Sequence, residues 1–139
     1  MGHWGLKSYE NDDADFAIDA GMEQVHGEGY EDLMDDRNAL SFDDVQKKLA
    51  NPQTLAAAVE SLKAEFGPDR PFEEWDEGER LAFSGVVVRH AEFGVPIPSD
   101  WLDRAIEWLG TEEIEWDEAT IRKLRREKEI ALLRSINAV

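Results

Sequence analysis

Signals that start and stop helices recur along this chain at spacings that leave room for little else. Asn51-Pro52 puts a capping side chain directly before a residue whose fixed φ suits the first helical turn, and Gly67-Pro68 closes the segment. Asp76-x-x-Glu79 has the spacing of a capping box. Asn11 or Asp12 opens a run in which Ala14, Ala17, Ile18, Gly21 and Val25 recur three and four residues apart, with a stop expected at Gly27. No Asn-Gly or Asp-Gly turn flanked by alternating apolar residues occurs. The pattern predicts an all-α chain: an irregular single-domain helical bundle of roughly five to seven helices over residues 1–139.

Between these anchors the reading is less sharp. Gly27-Glu28-Gly29 reads as a loop, Asp32–Asp36 as a short helix, and Ser41 as the cap of a helix carrying Val45 and Leu49, with Asp44 reaching back. Leu55, Val59, Leu62 and Phe66 form a buried stripe. Gly85-Val86-Val87-Val88 is apolar on nearly all sides, which marks the helix after Asp76 as the central, most buried one. Ser99 is expected to cap a helix bearing Trp101, Leu102, Ala105, Ile106 and Leu109, closed by Gly110. Trp116-Asp117 is expected to start a basic C-terminal helix, 117–139, whose apolar positions are Ile121, Leu124, Leu132, Leu133 and Ile136. Trp75-Asp76-Glu77 and Trp116-Asp117-Glu118 repeat a tripeptide, but two copies establish no solenoid, and a tryptophan before an aspartate cap reads as a hydrophobic staple.

Charge narrows the function classes. The net charge is −17, yet residues 122–139 hold six basic and two acidic side chains, a net +4 that leaves −21 on the remainder. Such a body repels nucleic acid and anionic membranes and attracts basic proteins. The absence of cysteine excludes disulfides, thiolate metal sites and cysteine nucleophiles. No apolar run reaches the ~20 residues of a membrane span. The opening lacks the features of a signal peptide, and Leu6 stands where a myristoylation signal needs Ser or Thr, so a cytoplasmic location is expected.

The opening Met1-Gly2-His3-Trp4-Gly5, followed by Asn11-Asp12-Asp13-Ala14-Asp15, resembles an uncharacterised bacterial family whose members begin Met-Gly-x-Trp-Gly and continue into an Asn-Asp-x-Ala stretch. The resemblance covers about the first twenty residues. It implies a small, acidic, helical bacterial protein and transfers no catalytic residue. Read physically, the stretch is a helix cap with carboxylates at the positive end of the dipole, behind a docked N-terminal segment (1–11) in which Trp4 is expected to be buried.

Motifs for chemistry are few. His90-Ala91-Glu92 resembles half of the zinc nucleoside deaminase signature but lacks its cysteines. No EF-hand, Walker loop, dinucleotide glycine motif or nucleophile elbow is present. Asp19, Glu23 and His26 share one face of the first helix, and Glu23-x-x-His26 has the form that di-iron bundles use twice; here it occurs once. These three are the candidate metal ligands, with His3 or His90 as a possible fourth, although the wet face of an amphipathic helix gives the same spacing. Arg122, Lys123, Arg125, Arg126 and Lys128 have no interleaved aromatics, so they are expected to neutralise acidic neighbours in the bundle or face an acidic patch on a second copy.

The function expected from the sequence is that of a non-enzymatic, acidic interaction protein with no cofactor. Its partner would be a basic protein, in the manner of an immunity protein, an inhibitor or a mimic of nucleic-acid charge. The alternatives are a metal-dependent hydrolase or ligand-binding bundle centred on the first helix, and a structural homo-oligomer.

Overall fold

Each well-signalled helix starts as its sequence dictates. The computed structural model describes residues 7–30, 42–112 and 119–136, without the side chains of 42 and 43. The elements bounded within them are α1 (Asp12–His26), α2 (Phe42–Leu49), α3 (Pro52–Phe66), a 3-10 turn (Phe72–Glu74), α4 (Glu77–Glu92), α5 (Ser99–Gly110) and α6 (Ala119–Arg134), and there is no strand among the described residues. The Asn11 side chain accepts from Ala14 N–H at 2.9 Å. Asn51 and Thr54 exchange side-chain and backbone bonds of 2.9 and 3.0 Å, and Asp76 and Glu79 do the same, both at 2.9 Å. Gly27 and Gly67 take positive φ at the ends of α1 and α3. The all-α expectation holds.

Helix α4 runs through the core, with Ala82, Phe83, Val86, Val87, Val88 and His90 all fully buried. Helix α1 packs along α3, both rest on α4, and α5 and α6 cover its other side. The α1–α3 crossing is close because Gly21 has no side chain: a Cβ there would lie 2.7 Å from the Thr54 carbonyl oxygen and 2.9 Å from Ala58 N. Gly85 serves the same purpose inside α4, where a Cβ would collide with the Ser8 carbonyl and come within 2.7 Å of Tyr9 Cα. The N-terminal segment is therefore laid directly against the central helix. Phe66, Phe72, Trp75, Phe83 and Trp108 meet mostly edge-to-face, with centroids 4.9–6.3 Å apart, at the α3–α4–α5 end of the core. Arg70 fastens the loop over them, forking onto Glu79 at 2.8 and 2.9 Å while also donating to the Phe66 and Glu74 carbonyls.

Several expectations need correction. Pro98, not Ser99, precedes the first residue of α5, and no side chain caps that helix. Gly110 lies inside α5, which Thr111 closes. Glu28 and Gly29 return to helix where a loop is expected. Ile106, Leu132 and Phe66 are only half-buried. The largest departure is in α6: Ile121 and Leu124 are 52% and 58% exposed, whereas Arg122, Glu129 and Leu133 are buried. Trp75 lies in the aromatic cluster rather than stapling the start of α4. Trp4, Asp32–Asp36, Ser41 with its bond to Asp44, and Trp116-Asp117 lie outside the described residues.

Candidate functional site

The buried charges of α6 explain where the C-terminal cations go. Arg122, with 0% exposure, forks onto Glu112 at 2.7 and 3.3 Å and donates to Glu129 at 2.7 Å. Glu129 accepts through its other oxygen from both the Ser8 N–H and the Ser8 hydroxyl, at 2.9 and 2.7 Å. Arg125 reaches Glu92 at 3.1 Å, and Arg126 donates to the Glu112 carbonyl at 2.9 Å. Arg122 and Arg125 thus pair with acidic neighbours inside the bundle, the first of the two roles expected, whereas Arg126 is held by a main-chain carbonyl and Lys123 and Lys128 are exposed. An ion fully removed from water is tolerated only when partners replace its hydration, and here the Arg122–Glu129 bond lies within α6 while the bonds to Glu112 and Ser8 tie that helix to other parts of the chain.

A second polar line runs from Tyr30 to Tyr9. Tyr30 accepts from Gln46 at 3.4 Å, Gln46 accepts from Arg89 at 3.3 Å, and Arg89 stacks over the Tyr9 and Phe93 rings at 4.8 and 4.4 Å. Burial first, and then the bond to the Asp19 carboxylate, push the Tyr30 hydroxyl well above its usual range. Fully buried His90 has its Nδ1 2.9 Å from the Val86 carbonyl, which can only accept, so Nδ1 carries the proton. Its Nε2 then accepts from Thr54 Oγ1 at 3.0 Å. Desolvation lowers the imidazole to about 4 against a weaker opposing effect of the Val86 bond, so the ring is neutral at pH 7.

Two of the three candidate metal ligands already have partners. Asp19 and Glu23 are exposed, and Asp19 is engaged with Tyr30. His26 Nε2 lies 2.8 Å from the Leu49 carbonyl oxygen, which fixes the proton on that nitrogen and leaves only Nδ1 with a lone pair. Among the described residues no three His, Asp or Glu side chains gather as a metal site. His90 is consumed by its own two bonds in the core.

What the α1 face does offer is an aromatic residue amid carboxylates. Asp12, Phe16, Asp19 and Glu23 are spaced four, three and four apart, which stacks them on one outer stripe, opposite buried Ala14, Ala17, Ile18 and Gly21. Phe16 is 63% exposed. Partial desolvation, then repulsion from Asp19 and Asp12, raises the Asp15 carboxyl, and desolvation followed by the charge of and bond to Asp13 raises Glu65 on neighbouring α3. The sequence carried the signal for Phe16: it is out of step with the apolar positions of α1 and in step with its carboxylates.

No protein-family model, curated protein or solved structure matches this chain.

Proposed function

We propose that this chain is a non-enzymatic bacterial interaction protein, acting in the cytoplasm, that engages a basic protein through the outer stripe of α1. The observation that carries this reading is Phe16, 63% exposed on the same stripe as Asp12, Asp19 and Glu23. A lone exposed carboxylate face needs no explanation in a chain of this charge, but a large aromatic at its centre loses its hydration cost only when covered. Desolvation first, and then repulsion from neighbouring carboxylates, raises Asp15 and Glu65, and the repulsive part is what a cationic partner would relieve. Use of Arg122, Arg125 and Arg126 inside the bundle keeps these cations from serving as an anion-binding face. An immunity protein, an inhibitor of a basic enzyme or a mimic of nucleic-acid charge would work in this way.

The test is quantitative capture from extracts of the cells of origin, with the wild-type chain and a Phe16→Ala, Glu23→Lys variant as baits at low and moderate salt. Basic proteins retained by the wild type, lost from the variant and weakened by salt are expected. Equal recovery on both baits would remove α1 from the account.

A second reading, self-association, is favoured by Ile121 and Leu124 lying exposed beside exposed Lys123 and Lys128 on α6. Sedimentation velocity of the wild type and of Leu124→Glu separates this reading from the first.

A further inference from the structure

The edge of the bundle between the 3-10 turn and α5 holds an open cleft of about 480 Å³ whose charges form no ion pair among the described residues. The Arg104 guanidinium stacks over Phe72 at 4.4 Å and over Trp108 at 5.3 Å. The Arg80 guanidinium stacks over the same Trp108 ring at 5.4 Å and donates through Nε to the Trp75 carbonyl at 2.8 Å. Among the described residues neither arginine has a carboxylate within 4.0 Å, in contrast to Arg70, Arg89, Arg122 and Arg125. Glu73, Asp100, Asp103 and Glu107 line the same cleft, exposed and equally without an ion pair. Behind Trp108 and Arg80, a chamber of about 20 Å³ reaches Ser84, whose hydroxyl is buried without a partner. That volume suits a single water.

Two guanidiniums and four carboxylates that share a cleft without pairing define the ligand that would satisfy both. A simple anion meets the forks of Arg80 and Arg104 but is repelled by the rim, and a simple cation meets the rim but is repelled by the guanidiniums. We propose that the cleft binds a small zwitterion of the free α-amino-acid type. Its carboxylate is received by the N–H groups of Arg80 and Arg104, which are held in place by their stacking on Trp108 and Phe72. Its ammonium group faces Asp103 and Glu107, and its side chain lies against Trp108. A concave site with an aromatic wall and a few convergent polar groups is the usual form of a small-ligand pocket. This site lies on α4 and α5, away from the α1 stripe, and stands independently of the proposed partner.

The test is calorimetric titration of the full chain with the free L-amino acids, with acetate and methylammonium as half-ligands at matched millimolar concentrations. At least one amino acid is expected to bind, with the half-ligands about tenfold or more weaker, and both Arg104→Gln and Asp103→Asn are expected to weaken binding by a similar factor. Circular dichroism melts of both variants check folding. Asp103 is exposed, so its variant decides the matter if Arg104→Gln fails to fold. Absence of binding by every amino acid, acetate binding as tightly as the best of them, or unchanged affinity in a folded variant would overturn the assignment.

Discussion

Glu129 and Ser8, 121 residues apart, are joined by two hydrogen bonds to one carboxylate oxygen, Ser8 N–H at 2.9 Å and Ser8 Oγ at 2.7 Å. The other oxygen of Glu129 holds Arg122. One buried carboxylate therefore locks the N-terminal segment to α6 and helps balance the fully buried guanidinium of Arg122. Glu129→Ala should cost about 3–5 kcal/mol, because it leaves Arg122 buried and partly uncompensated. Ser8→Ala removes one bond to a charged acceptor and should cost about 1.5–3 kcal/mol. Urea unfolding of both single variants and the double variant checks this, and the two effects should be less than additive.

Charge reversal of the same helix gives a broader version of that test. Replacing Arg122, Arg125 and Arg126 with glutamate sets new anions against Glu112, Glu129 and Glu92. The triple variant should melt well below the wild type at every salt concentration and gain more from added salt. Wild-type melts across a salt series would show that these arginines do not hold the bundle.

Gly85 allows the N-terminal segment to lie on α4, so Gly85→Ala should cost roughly 1–3 kcal/mol or more through collision with the backbone of Ser8 and Tyr9. Among the described residues Gly110 has nothing within 4 Å of its would-be Cβ, and Gly110→Ala should be neutral or stabilising by up to about 1 kcal/mol. Thermal melts of the pair isolate the close approach from the general helix preference for alanine.

Much of this architecture was legible in the sequence because it rests on local chemistry. Asn11, Asn51 and Asp76 cap where their spacing predicts, and Val86, Val87 and Val88 are buried where an all-round apolar run requires it. What was not legible depends on partners distant in sequence. Nothing near Arg122 announces that Glu112, Glu129 and Ser8 will make it a core residue, and the apolar Ile121 and Leu124 point by their spacing to an inner face that they do not occupy. The spacing of Asp19, Glu23 and His26 sets them on one face of α1, but spacing alone does not show that Tyr30 and the Leu49 carbonyl engage two of the three.

Neutral burial of His90 sets a pH dependence of stability. Its pKa falls from 6.5 to about 4 on folding, so between these values the unfolded chain binds more protons, and stability decreases as pH falls from 6.5 towards 4. The full loss is on the order of 3 kcal/mol. The raised carboxyls of Asp15 and Glu65 work in the opposite direction, because they gain protons first in the folded chain, so the histidine's part is read from the difference between the wild type and His90→Gln. Urea unfolding across pH 5–7 should show this slope, and a folded His90→Gln chain should lack it.

The most direct measurement is a nuclear magnetic resonance titration of the labelled protein with a synthetic amphipathic helix bearing lysines and leucines, at low and moderate salt. Phe16→Ala changes an exposed side chain and should leave stability within about 0.5 kcal/mol, so any lost binding reports on the face itself. Amide shifts should follow the Asp12, Phe16, Asp19 and Glu23 stripe, weaken with salt, and largely vanish in Phe16→Ala. Shifts centred on another surface, or undiminished in Phe16→Ala, would contradict the assignment of α1 as the binding face.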